Sequence, residues 1–245
     1  MSAKHAKEPP PVLLIERDSE IARPLLGQLA ADGYPAQLAR TASHARTHAH
    51  ARPPLLAILG ELDHPYAALG LLAEIRSKDP DTPAVSGCPW ASELPVIVVS
   101  ARAQEPDLLR AFDAGADDFL ARPASYLELR ARLRALLHRT AGDRQSRRRI
   151  EVGPLTIDPR AHTVSLNGIP VALRRMEYEL LAHLASDPGR VFPKAELLSA
   201  VWGYATPGFT RTLDSHACRL RRKLRAAGHE QLVVNVRGIG YRLGS

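Results

Sequence analysis

The chain has 245 residues, 45% of them hydrophobic and 24% charged, the balance of a globular protein with room for two domains of about 100 to 200 residues each. No apolar run reaches the roughly 18 residues of a membrane span, and Met1 to Pro11 lacks the apolar stretch of a secretory signal, so neither a membrane span nor export is expected and a cytoplasmic protein is. The net charge of +7 is unevenly placed: 16 Lys and Arg face 17 Asp and Glu up to Thr140, whereas 17 face 9 from Ala141 onward.

The elements follow from hydrophobic period and punctuation. After a disordered lead-in over 1–10, Val12 to Ile15 reads as a buried strand, Glu20 to Asp32 as a helix ended by Gly33, Leu55 to Leu59 as a strand and Tyr66 to Ser77 as a helix. Pro80 to Trp90, rich in Pro and Gly, reads as a surface loop. Pro95 to Ser100 is a strand, Pro106 to Ala114 a helix closed by Gly115, Asp118 to Ala121 a strand and Ser125 to Arg139 a helix. Such alternation implies an α/β domain over 11–139 with a parallel sheet covered by helices, and its functional crevice lies at the carboxyl ends of the strands.

The basic stretch 140–149 reads as a linker to a second domain over 150–245. Ile150 to Ile157 and Thr163 to Leu173 are strands around turns at Asp158-Pro159 and Asn167-Gly168. Helices are expected over Arg175 to Ser186, Lys194 to Trp202 and Thr210 to Ala226, and then a hairpin formed by Leu232 to Val236 and Tyr241 to Leu243. Three helices and a hairpin make an α+β winged helix-turn-helix.

At 100° per residue, Leu213, Ala217, Leu220 and Leu224 share one face of the third of these helices. Arg211, Ser215, Cys218, Arg219 and Arg222 point the other way. A cationic helix face suits a major groove, where Arg bonds guanine O6 and N7 together, and Arg237 between strands suits a phosphate or a narrow minor groove. A basic half of this kind fits a polyanion partner; a solvated basic surface is the competing reading. Cys88 and Cys218 fall in different domains without metal-ligand spacing, so neither a disulfide nor a metal site is expected.

The strings "LLAHLASDPGRVFPKAELLSAVWG", "RTLDSHACRLRRKL" and "VVNVRGIGYRL" resemble the winged-helix domain of the OmpR/PhoB family of response regulators. The resemblance implies double-stranded DNA as partner, with contacts from Arg211, Thr212, His216, Arg219 and Arg222 on the recognition helix and from Arg237 on the wing. It also implies that the loop 203–209 touches RNA polymerase. Cys218 stands where many members carry a basic residue.

"AFDAGADDFLARP" within Val12 to Arg139 resembles the receiver domain of the same family, and so implies a doubly wound, five-stranded parallel sheet. A working receiver holds Mg²⁺ with an acidic pair, accepts phosphate on an Asp, and completes the site with a Ser or Thr and a Lys. Here the corresponding positions are Glu16 and Arg17, Gly60, Ser100 and Arg122. Glycine offers no nucleophile, and two guanidinium groups oppose the dication. Glu61 or Asp63 is the conceivable surrogate acceptor, and pairing of Arg17 or Arg122 with Glu16 is the structural alternative. The family's dimer face implies Asp118 with Arg132 and Asp117 with Arg139 across a two-fold axis, while Glu128 faces Leu108 and lacks a basic partner. The expectation is a homodimeric, phosphorylation-independent transcriptional regulator without cofactor or enzymatic activity. The alternative is a regulator controlled by a small molecule or a partner protein bound at the altered pocket or the 80–90 loop.

Overall fold

The computed structural model describes residues 9–64, 66–77, 89–91, 93–141, 149–204 and 211–244. The chain divides into two compact units, Met1–Tyr126 and Leu127–Ser245. The division falls ahead of the expected linker at 140–149, most of which lies outside the described residues.

The first unit alternates β1 (Val12–Ile15), α1 (Ser19–Ala31), β2 (Ala36–Ala39), α2 (Ala42–Ala51), β3 (Leu56–Leu59), α3 (Ala67–Arg76), β4 (Val96–Ser100), α4 (Glu105–Ala114) and β5 (Asp118–Ala121), and α5 (Tyr126–Ala141) begins at its end. The strands form one parallel sheet in the order β2-β1-β3-β4-β5. Continuous apolar strands such as VLLI and LAIL are buried throughout, as befits a parallel sheet. The Asp18 side chain caps α1 by accepting from Glu20 N at 2.8 Å. Apolar positions of α3 (Leu71, Leu72 and Ile75) pack with Leu13, Ile15, Leu59 and Val98 into one core, where the Phe112 and Phe119 rings lie 6.4 Å apart.

β2 and α2 were not expected from residue patterning. β2 is the short, weakly apolar AQLA at the sheet edge, and α2 is an Ala- and His-rich helix that buries only Ala45 and Ala49, so neither has a strong apolar period. The Pro80 to Trp90 segment lies mostly outside the described residues, but its end is not surface loop. Trp90 is buried and donates from Nε1 to Glu74 Oε1 at 3.1 Å.

The second unit contains β6 (Ile150–Val152), β7 (Leu155–Asp158), β8 (Thr163–Leu166) and β9 (Ile169–Pro170) as an antiparallel sheet in chain order. The expected single strand Ile150 to Ile157 is broken at Gly153-Pro154, where Gly153 takes φ +54°. Asn167 and Gly168 both have positive φ, the two-residue turn anticipated there. Helices α6 (Arg175–Ala185), α7 (Lys194–Trp202) and α8 (Thr212–Ala226) pack on one another. They bury Leu180, Leu181, Leu184, Leu197, Val201, Trp202, Leu213 and Leu220. A second sheet, β10 (Phe192–Pro193), β12 (Gly240–Leu243) and β11 (Val233–Val236), completes the winged helix. Among the described residues no helix is long and apolar enough to cross a membrane.

Candidate functional site

Parallel strands bring Glu16 after β1, Gly60 after β3, Ser100 at the end of β4 and Arg122 after β5 to one edge of the sheet. Glu16 is fully buried. Its Oε2 meets Arg122 Nη2 at 2.5 Å and accepts from Glu61 N at 3.2 Å, while Oε1 accepts from Asp18 N at 2.9 Å. A buried carboxylate needs such partners, because removing a charge from water is costly unless it is compensated. A Cβ on Gly60 would overlap Glu16 Oε2 and lie 3.1 Å from Arg122 Nη2, so these two side-chain ends would have to shift to admit one.

The remaining polar groups are also engaged. Ser100 Oγ donates to Glu61 Oε1 at 2.7 Å, Ala101 N donates to the same oxygen at 3.2 Å, and Arg102 N donates to Ser100 Oγ at 3.1 Å. Arg17 does not pair with Glu16. Its Nη1 lies 3.7 Å from Asp63 Oδ1 in an exposed pair, so Arg122 is the guanidinium that fills the pocket. Mg²⁺ needs hard oxygen ligands open to it. Here Arg122 stands inside the coordination shell of Glu16, so these residues do not fit that ion. Beside the pair, Gly60, Glu61, Tyr66, Leu69, Ser100 and Phe119 help to line a cavity of about 40 Å³, the scale of ordered water.

On α8 the core stripe Leu213, Ala217, Leu220 and Leu224 is buried as expected, but three expected DNA-contacting residues are not exposed. Thr212, His216 and Arg219 are all buried. Arg219 Nε lies 3.6 Å from Glu177 Oε1 of α6, and its Nη2 donates to His216 Nδ1 at 3.1 Å. His216 lies against Trp202, ring centroids 5.3 Å apart. Glu177, fully buried, also accepts from Lys223 Nζ at 2.6 Å and from Arg174 N at 2.8 Å. α6 therefore covers a polar flank of α8 as well as its apolar stripe. The face left open carries Arg211, Cys218, Arg222 and Arg225, with Asp214 and Arg221 half-exposed. Arg221 and Arg225 were missed by the sequence reading, although a step of three from Cys218 leads to Arg221 and a step of three from Arg222 leads to Arg225. Arg237 and Ile239 are exposed at the wing tip.

A family profile described as "Transcriptional regulatory protein, C terminal" matches residues 168–243. The sensory transduction protein RegX3 of Mycobacterium tuberculosis is 34% identical over 235 residues, 95% of this chain and 98% of that protein. The chain belongs to the OmpR/PhoB family of response regulators. It is thus a DNA-binding transcriptional regulator. The transcriptional regulatory protein PrrA of the same organism is also 34% identical over 235 residues, 95% of each chain. A solved RitR variant at 23% identity covers 97% of this response regulator and all of its own chain with a TM-score of 0.68, which bears on the fold.

Several residues that the family resemblance implied for a dimer face make bonds within the chain of this response regulator. Asp117 is buried, where its Oδ2 meets Arg76 Nη2 at 2.8 Å and accepts from Val96 N at 2.8 Å. Asp118, also buried, accepts from Phe119 N at 2.8 Å. Within the chain Glu128 pairs with Arg132 one turn along α5 at 2.5 Å. The Arg132 guanidinium carbon sits 4.2 Å from the centroid of the Tyr204 ring, and Arg132 donates to the Tyr204 hydroxyl. The Arg139 side chain and most of the 203–209 loop lie outside the described residues.

Proposed function

We propose that this response regulator controls transcription without aspartyl phosphorylation. The observation that carries the reading is the Glu16–Arg122 pair packed against Gly60: the position of the family's phosphoacceptor has no nucleophile, and a side chain there would have to displace the pair. Magnesium assists phosphoryl transfer by neutralising charge on the phosphate oxygens, and here Arg122 already neutralises the carboxylate that would hold it. Glu61, the surrogate acceptor, is tied to Ser100 and Ala101. The receiver-like unit, taken as 11–139, serves in this reading as a fixed scaffold.

DNA is read by the open face of α8, with Arg211, Arg221, Arg222 and Arg225 facing a major groove and Arg237 a minor groove or phosphate. Occupancy of repeated half-sites by a homodimer and contact of the 203–209 loop with RNA polymerase belong to the same proposal. Asp117 and Arg132 join such a dimer only if their bonds within the chain break.

The test incubates the purified wild type and Gly60→Asp with Mg²⁺ and a small phosphodonor, then measures intact mass and affinity for promoter DNA. Unmodified wild type that binds specific DNA without additive is the expected result. A phosphoryl adduct on the wild type that tightens binding would overturn the reading.

A further inference from the structure

Lys194 opens α7, where it links the two elements that face DNA. Its backbone N–H donates to Ile239 O in the wing turn at 3.1 Å. Its ammonium holds both oxygens of Asp214, at 2.7 and 2.9 Å, in the first turn of α8. Tyr241 of β12 donates its hydroxyl to the same Asp214 Oδ1 at 2.7 Å, and burial together with the Asp214 carboxylate raises that phenol well above its ordinary range. The wing cannot drift at its base, because Phe192 pairs with Tyr241 and Pro193 with Gly240, where a Cβ would overlap Phe192 O. One lysine and one carboxylate thus tie the recognition helix beside Arg211 to the hairpin that carries Arg237.

We infer that Lys194, with Asp214 and Tyr241, is a positioning clasp that fixes the angle between α8 and the wing, so that major-groove and wing contacts form together on one DNA site. The inference rests on the proposed roles of the open α8 face and Arg237. Lys194 and Asp214 are partly exposed, and such pairs add little to stability. Their value lies in pre-ordering two contacts whose simultaneous formation would otherwise cost entropy.

The experiment is a double-mutant cycle on specific promoter DNA with the full chain, supported by thermal melting. Arg237→Ala in the parent is expected to weaken binding on the order of tenfold. In the Lys194→Met or Tyr241→Phe background, Arg237→Ala is expected to change affinity less than about twofold, and Lys194→Arg is expected to restore the full effect. Tyr241→Phe removes one hydroxyl and keeps the ring, so it serves where Lys194→Met fails to fold. A full loss on Arg237→Ala in every background would overturn the clasp alone. Silence of Arg237→Ala in the parent would overturn the wing contact, and the clasp with it.

Discussion

Arg122 Nη2 and Glu16 Oε2 meet at 2.5 Å in the space that a side chain on residue 60 would occupy. Only the arginine side has any exposure, so the carboxylate relies on its protein partners.

Arg122→Ala is therefore expected to destabilise the fold by about 3 kcal/mol, the usual cost of leaving a buried charge uncompensated. Glu16→Gln should cost less, because it removes the buried charge and its single amide oxygen still accepts from one of the two backbone groups, Asp18 N or Glu61 N. Urea denaturation of both variants gives the comparison; equal losses would show that the pair itself is not what matters.

Gly60→Asp should behave as an overpacked site and lose about 1 to 3 kcal/mol, without becoming reactive toward a phosphodonor. Adding Arg122→Lys is expected to recover part of that stability by opening the pocket. Melting curves and intact mass of the single and double variants check both statements.

Arg219 and Arg222 differ by three positions and should differ in kind. Arg219→Ala is expected to cost about 1 to 3 kcal/mol of stability, because buried Glu177 loses one of its cations. Arg222→Ala should leave melting unchanged and weaken specific DNA binding by about 1 to 3 kcal/mol if it contacts a base. Paired denaturation and binding isotherms separate the two.

The contrast also marks how far the sequence could be read. The apolar stripe of α8 was legible because it depends on α8 alone. Arg219 packs with Glu177, His216 with Trp202 and Thr212 with Tyr204, all from outside α8, and a projection of one helix contains no such neighbour. The same limit applies at the sheet edge. The pairing of Asp117 within the chain depends on Arg76 of α3, forty-one residues away, which no local pattern around Asp117 contains. The receiver-like site was better read, since parallel strands deliver their carboxyl ends to one place by topology. Which arginine would fill it was not legible, because that choice is made by side-chain direction.

Asp117→Ala is thus predicted to lower stability, by about 3 kcal/mol for a buried pair broken on one side, and to leave the oligomeric state unaltered at equal folded concentration. Analytical ultracentrifugation together with thermal melting tests this. A monomer that remains as stable as the parent would return Asp117 to the interface.

The Arg46–Glu74 pair supplies a pH dependence. Hydrogen bonds from the Arg46 guanidinium hold the Glu74 carboxyl below its ordinary range. A depressed folded-state pKa gives stability that is complete above the unfolded value, about 4.3 for glutamate, and is lost as pH falls through the folded value. Glu74→Gln should melt lower than the parent at neutral pH, by an amount on the scale of one exposed pair, up to about 1 kcal/mol. The gap should close in acid, and a gap that widens as pH falls would contradict the sign.

The filled space at residue 60 also bears on ancestry. On the proposed reading, an aspartate gained at 60 by a single codon change would still meet the guanidinium and carboxylate already there. Removing Arg122 first strands Glu16 in the interior. On that reading, each path back to an acceptor begins with a less stable protein.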